Sequence, residues 1–141
     1  REQLALQLMY LVGYNHFHNR PAWSLDQLIE YLDLPGEPLH RVIRVLVDGG
    51  YLIEVVREDA LVYLPLHDVE TIRLVDVIAD VRTAREDQVI SLQHLTRLKA
   101  VDAVMAGMDS SRIAALGEQT LRSMVESVDD ELEATQIRLM G

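Results

Sequence analysis

The sequence predicts a mainly α fold, a winged helix-turn-helix with a two-stranded wing and an α-helical C-terminal extension. Three observations indicate this class. Apolar residues recur at the helical period in three segments before residue 49. Two short segments of β-branched and aromatic residues follow the third helix directly, and a long helical pattern begins after residue 88. We expect a winged domain over residues 1–83 and a helical extension with an acidic tail over residues 84–141.

Three helices are predicted first, over residues 2–18, 25–33 and 37–48. Ser24 and Gln27 have the spacing of a capping box, in which the two side chains satisfy free N–H groups at the start of a helix. A Leu-Pro-Gly turn over 34–36 separates the second helix from the third. Gly49 and Gly50 predict the end of the third helix, because glycine tolerates the left-handed conformation.

The wing is predicted as two strands, residues 51–56 and 61–64, with residues 57–60 as a four-residue connection. The next helix begins near Leu74. The charged stretch 82–87 lacks apolar periodicity, so we expect the internal boundary there.

The composition excludes several kinds of chemistry. The 141 residues contain no cysteine, which excludes thiol catalysis, iron–sulfur clusters and cysteine-bound zinc. The net charge, 13 − 23 = −10, disfavours broad electrostatic binding to nucleic acid or anionic lipid. No apolar run is long enough to span a membrane.

Catalytic and metal-binding patterns are weak. His16 and His18 are two residues apart, which puts them on different sides of a helix. Ser110 and Ser111 have no nucleophile-elbow context, and no glycine-rich phosphate loop is present. We therefore predict no catalytic residues, no metal site and no cofactor, and we favour a non-enzymatic role.

Candidate nucleic-acid-binding residues lie on the third helix, where His40, Arg41 and Arg44 fall mostly on the polar face. Arginine suits guanine and phosphate because its planar fork donates two hydrogen bonds. Arg20 and Arg57 could add phosphate contacts from a loop and the wing. The opposing interpretation is an ordinary solvated face, since residues 1–83 carry 7 − 13 = −6 charges.

A stripe of apolar residues on the long helical segment needs a covering surface. Its members are Leu95, Leu98, Val101, Met105 and Met108. Either the segment folds back on the winged domain, or it forms a homodimer contact.

Short motifs resemble a bacterial membrane-protein family. Residues 24–28 with 32–35 are similar to its "LxxLAxxLGLP" helix-turn-helix, and residues 42–52 to its "VLxxLVxAGLL" continuation. Residues 63–65 with 72–78, and then 119–121, are similar to later segments. Together they resemble the C-terminal winged-helix domain of the YihY/BrkB-like inner-membrane family, historically labelled ribonuclease BN. The resemblance implies a cytoplasmic interaction or regulatory domain attached to the inner membrane, whose partner is its own membrane domain or another protein.

A weaker resemblance is to Rrf2-type transcription regulators, which share the winged helix, an "ITLADVL"-like piece and a long dimerisation helix. It implies a stand-alone DNA-binding regulator. This sequence departs from that pattern in its wing, which lacks Gly-Gly-Tyr, and in having no sensor cysteines.

A third alternative, part of a tRNA-processing ribonuclease, would require a His-x-His-x-Asp-His cluster. Residues 16–20 lack its Asp and its last His.

Overall fold

The computed structural model describes residues 2–93, 100, 103–104, 107–108, 111, 114, 116–126 and 129–140. In chain order its elements are α1 (Glu2–Phe17), β1 (Trp23–Ser24), α2 (Leu25–Leu32), α3 (Gly36–Asp48), β2 (Leu52–Arg57), β3 (Ala60–Pro65), α4 (Leu74–Gln93), α5 (Leu121–Val125) and α6 (Asp130–Met140). The predicted class, a mainly α winged helix-turn-helix, is confirmed.

Helix α1 lies at the centre of the core. Its side chains are buried on more than one side, against α3, α4, α5 and the sheet. Gly13 brings α5 close, because a Cβ at that position would lie 2.9 Å from Cδ2 of the fully buried Leu121. The spread of apolar residues around most of this helix therefore reflects a position between several neighbours.

Helices α2 and α3 of the helix-turn-helix begin and end close to where the capping and glycine motifs predict. Ser24 Oγ accepts from the Gln27 amide at 3.2 Å, and Gln27 Oε1 accepts from the Ser24 amide at 3.0 Å. This capping box opens α2, and Asp33 closes it in the left-handed conformation. At the end of α3, Gly50 has a φ of 83° and so takes the conformation that glycine favours.

The sheet is antiparallel with strand order β1–β3–β2. The hairpin of β2 and β3 is the predicted two-stranded wing, whereas β1, in which Trp23 pairs with Tyr63, was not predicted.

The predicted four-residue connection between the two strands of the wing is wrong. Arg57 pairs with Ala60, so the turn consists of Glu58 and Asp59 alone, with φ of 50° and 65°. Positive φ at both positions is typical of the tight turn that fits twisted strands.

Helix α4 runs without a break through the charged stretch 82–87, so that stretch is not a linker. Within this stretch, Arg82 Nε donates to Glu2 of α1 at 2.7 Å. The division between residues 1–83 and 84–141 stays a prediction.

None of the helices in the described part of the chain combines the length and apolar character needed to cross a membrane.

The stretch predicted as an acidic tail contains the start of a docked helix. Asp129 accepts from the Leu132 amide at 3.0 Å at the start of α6, and the Leu132 side chain is buried. On α1, Tyr14 donates to Glu133 at 2.8 Å, and Arg20 forms an ion pair with the same carboxylate. These partners explain why the acidic residues do not all face solvent.

Candidate nucleic-acid interface

Helix α3 presents one buried and one exposed face. Its inward residues are Leu39, Val42, Ile43 and Leu46. His40, Arg41 and Arg44 are all exposed, so the structure brings these predicted residues together on one face. Their spacing of one and then three residues places them on about one turn of the helix.

Both arginines of this face are ion-paired. Arg41 donates to Glu37 at 2.7 Å, one helical turn earlier, and this hydrogen bond holds the pKa of Glu37 below its usual value. Arg44 lies 3.4 Å from both Asp48 and Glu54. Exposed pairs of this kind contribute about 0–1 kcal/mol, so a phosphate or base edge can compete for either guanidinium.

The wing adds one basic residue to this surface. Arg57 is exposed and forms no ion pair with the residues that the structure describes. The adjacent turn contributes Glu58 and Asp59, and the paired residues Val56 and Leu61 are 70% and 43% exposed. The wing tip is therefore partly acidic and partly apolar.

The combined charge of α3 and the wing is negative. Residues 36–65 contain three arginines and five acids, a sum of 3 − 5 = −2. The acids are Glu37, Asp48, Glu54, Glu58 and Asp59. The pairing of Arg41 and Arg44 with acids four residues away was visible in the sequence, whereas the contact with Glu54 depends on the packing of β2 beside α3.

Arg20 has another neighbour. Its side chain is 31% exposed, and the guanidinium forms an ion pair with Glu133 of α6. A phosphate contact from Arg20 would have to compete with this partly buried carboxylate, and its place in a nucleic-acid interface stays a prediction.

Four of the five predicted dimer residues, Leu95, Leu98, Val101 and Met105, lie outside the described residues. Met108 is described, and its side chain is 55% exposed. The nearby Val104 is 64% exposed. These two described apolar side chains are therefore exposed, and the dimer contact stays a prediction.

The described residues contain no group of three or more His, Asp or Glu side chains arranged to hold a metal ion. His18 instead forms a hydrogen bond through Nε2 with the carbonyl of Val125, at 2.8 Å. That contact gives this histidine a role in holding α5 against α1.

Three helices followed by a hairpin, with an exposed third helix, form a winged helix-turn-helix. Among solved structures, the chain is similar to CymR (YrzC) of B. subtilis, described as the global cysteine regulator, with 16% identity and a TM-score of 0.64. That match covers 91% of this chain and 95% of CymR. T. potens IscR has 20% identity and a TM-score of 0.64, over 92% of this chain and 86% of IscR. The oxidised form of CymR from Staphylococcus aureus has 19% identity and a TM-score of 0.63, over 91% and 94% of the two chains.

At these identities the likeness concerns the fold. It extends over about nine tenths of the chain and so is not confined to residues 1–83. No protein-family model matches the sequence, and no curated protein has significant similarity to it. The structural neighbours support the weaker of the two resemblances, to Rrf2-type regulators, and nothing found supports the resemblance to the YihY/BrkB-like family.

Proposed function

We propose that this protein is a winged-helix transcription regulator that binds DNA, with α3 in the major groove and the wing against the backbone. The exposed face formed by His40, Arg41 and Arg44 is the observation that carries this proposal. The full-length likeness in fold to transcription regulators supports it.

In this arrangement the two arginines contact base edges and phosphates. An arginine that donates two hydrogen bonds to guanine discriminates against other bases by about 1–3 kcal/mol. Arg57 on the wing is placed to contact a phosphate, because it has no competing ion pair among the described residues.

The charge of −2 on α3 and the wing disfavours sequence-independent binding to DNA. Sequence-independent affinity for DNA comes mainly from neutralised phosphates. We therefore expect weak binding to random DNA and a strong dependence on the correct sequence.

We also propose that the regulator acts as a homodimer through the apolar segment that contains Met108. A two-fold dimer would place two α3 helices on half-sites about one helical turn of DNA apart. The exposure of Val104 and Met108 supports this proposal.

The test is to select DNA fragments that bind the protein and to measure their affinity by fluorescence anisotropy over a range of salt concentrations. We expect Arg44→Ala to weaken binding about tenfold or more and to reduce the salt slope by about one. Arg73→Ala is the matched control, because Arg73 is 43% exposed against 46% for Arg44 and also has an ion pair, with Glu118 at 3.2 Å. Equal effects of the two substitutions, or no fragment bound above random DNA, would contradict the proposal.

The partly apolar wing tip favours a second candidate, a protein-interaction domain. Val56 is 70% exposed beside the acidic turn, and such a surface suits a basic, apolar protein partner better than a phosphate. Val56→Ser separates the candidates: it should leave a DNA-binding function intact and weaken a protein-binding one. The readouts are anisotropy for DNA and the regulatory activity of the protein in cells.

A further inference from the structure

A groove of about 650 Å³ lies between α1, α2 and α6, away from any role assigned above. Its lining residues are Gln7, Glu30, Tyr31, Leu32, Glu131, Thr135 and Arg138. Its volume falls within the range of roughly 300–1,000 Å³ that is typical of small-molecule sites.

Charged side chains of both signs in this groove have no ion-pair partner among the described residues. Glu30 and Glu131 form no ion pair with any residue that the structure describes. Arg138 donates a hydrogen bond to the Thr135 hydroxyl at 3.2 Å, but no carboxylate in the described part of the chain lies within ion-pair distance of it. Elsewhere in the described chain, Arg41, Arg44, Arg73 and Arg122 all have carboxylate partners.

The oppositely charged side chains of this groove do not pair with one another. Arg138 and two carboxylates line one groove, yet no guanidinium nitrogen lies within 4.0 Å of a carboxylate oxygen there, the limit for an ion pair. A small molecule with a cationic and an anionic end can occupy that gap and satisfy both signs of charge.

Tyr31 adds a neutral aromatic side chain to the lining of the same groove. Burial, and then the carboxylates of Glu131 and Asp129, raise the pKa of its phenol. The neutral hydroxyl can donate a hydrogen bond. The ring packs on Trp23 with centroids 5.5 Å apart, which fixes its position. Leu32 adds a half-buried apolar contact.

We propose that this groove binds a small zwitterion with a primary ammonium and a carboxylate, an amino acid or a dipeptide. The ammonium lies toward Glu30 and Glu131, and the carboxylate accepts hydrogen bonds from Arg138. This assignment does not depend on DNA binding, since it concerns different residues and a different surface.

The test is to measure the thermal unfolding of the whole chain with the standard α-amino acids and a panel of dipeptides, each at about 1 mM. A ligand that binds the folded state raises the midpoint by an amount that grows with its concentration over Kd. We expect at least one zwitterion to raise the midpoint. Its amide, which lacks the carboxylate, and its N-acetyl derivative, which lacks the ammonium, should have no effect, because each leaves one set of charges unpaired.

Calorimetric titration of the ligand into variants then locates the site. Arg138→Gln and Glu131→Gln should each raise Kd about tenfold or more, which corresponds to the loss of about 1.4 kcal/mol. Both side chains are exposed, so the folded structure should persist, which circular dichroism checks. Glu118→Gln removes an exposed carboxylate elsewhere and should leave Kd unchanged. No response to any zwitterion, equal binding of the blocked derivatives, or unchanged binding by the groove variants would each overturn the proposal.

Discussion

Asn15 on α1 and Gln136 on α6 exchange two hydrogen bonds, of 3.2 and 2.8 Å, although 121 positions separate them in the chain. Both side chains are almost fully buried, at 2% and 3% exposure. The Asn15 amide also donates to the carbonyl of Pro21 at 2.7 Å. Because two amides can satisfy each other only in one alignment, this pair sets the position of α6 along α1.

We expect Gln136→Leu to lower the free energy of unfolding by about 1–3 kcal/mol, the usual cost of leaving a buried polar group without its partner. Urea denaturation measures the change. Gln119→Leu is the control, because Gln119 is exposed and uses only its backbone in the contacts of the described chain. An effect of Gln136→Leu no larger than that of the control would show that the pair does not hold α6.

The tyrosines predict a loss of stability at alkaline pH. Burial is the largest cause that raises the pKa of each phenol, and the affected residues are Tyr10, Tyr14, Tyr31, Tyr51 and Tyr63. The pKa of Tyr10 rises to about 12 from its ordinary 10.0. A raised pKa means that the folded state binds protons more tightly than the unfolded state. The contribution to stability is complete below pH 10.0 and disappears as the pH rises toward about 12.

Ultraviolet titration of the phenolates, with circular dichroism in parallel, measures this behaviour. We expect the phenols of the folded protein to ionise above their ordinary pKa and the helical signal to disappear over the same range. Tyr51→Phe should remove one titrating group, the one that donates to Asp80 at 2.5 Å. Ionisation of all five tyrosines near their ordinary pKa without unfolding would contradict the prediction.

The sequence predicted those parts of the fold that depend on local patterns. The apolar period and the capping box at Ser24 placed α1, α2 and α3 within one or two residues of their observed bounds. Strand β1 has only two residues, too few for any alternation, and forms because Trp23 meets Tyr63 of β3. The ion pair between Arg82 and Glu2 likewise joins residues that are far apart in the chain, and the sequence did not predict it.

In the candidate sites, too, the sequence predicted what depends on local spacing and missed what depends on distant contacts. The exposure of His40, Arg41 and Arg44 on one face was predictable from their spacing along a helix. The groove of the proposed zwitterion site was not, because Glu30, Glu131 and Arg138 come together only when α6 packs near α2. Of these residues, the sequence analysis placed only Glu131 in the acidic tail.

The wing turn offers a stabilising substitution. Asp59 has a φ of 65°, a left-handed conformation that costs a residue with a Cβ about 1 kcal/mol. We expect Asp59→Gly to raise the free energy of unfolding by up to about 1 kcal/mol, since glycine adopts this conformation freely. Asp59→Ala removes the same charge but keeps the Cβ, so it should not stabilise the protein. Chemical denaturation of the two variants compares them, and equal stability would show that the turn conformation contributes nothing.

The ion pair between Glu37 and Arg41 predicts a substitution that strengthens DNA binding. Glu37 is 77% exposed and accepts a hydrogen bond from Arg41 at 2.7 Å, so it competes with DNA for that guanidinium. Glu37→Gln removes the competing charge and changes the sum on α3 and the wing from −2 to −1. We expect about a two- to tenfold increase in affinity at low salt, with a steeper salt dependence, because one more cation is free to neutralise a phosphate. Glu118→Gln is the matched control, since Glu118 is 87% exposed and pairs with Arg73 at 3.2 Å, away from α3.

Anisotropy titrations of both variants against one DNA fragment test whether Glu37 competes with DNA for Arg41. If Glu37→Gln strengthens binding no more than Glu118→Gln does, the effect belongs to the total charge of the protein, and Arg41 does not lie at the DNA surface.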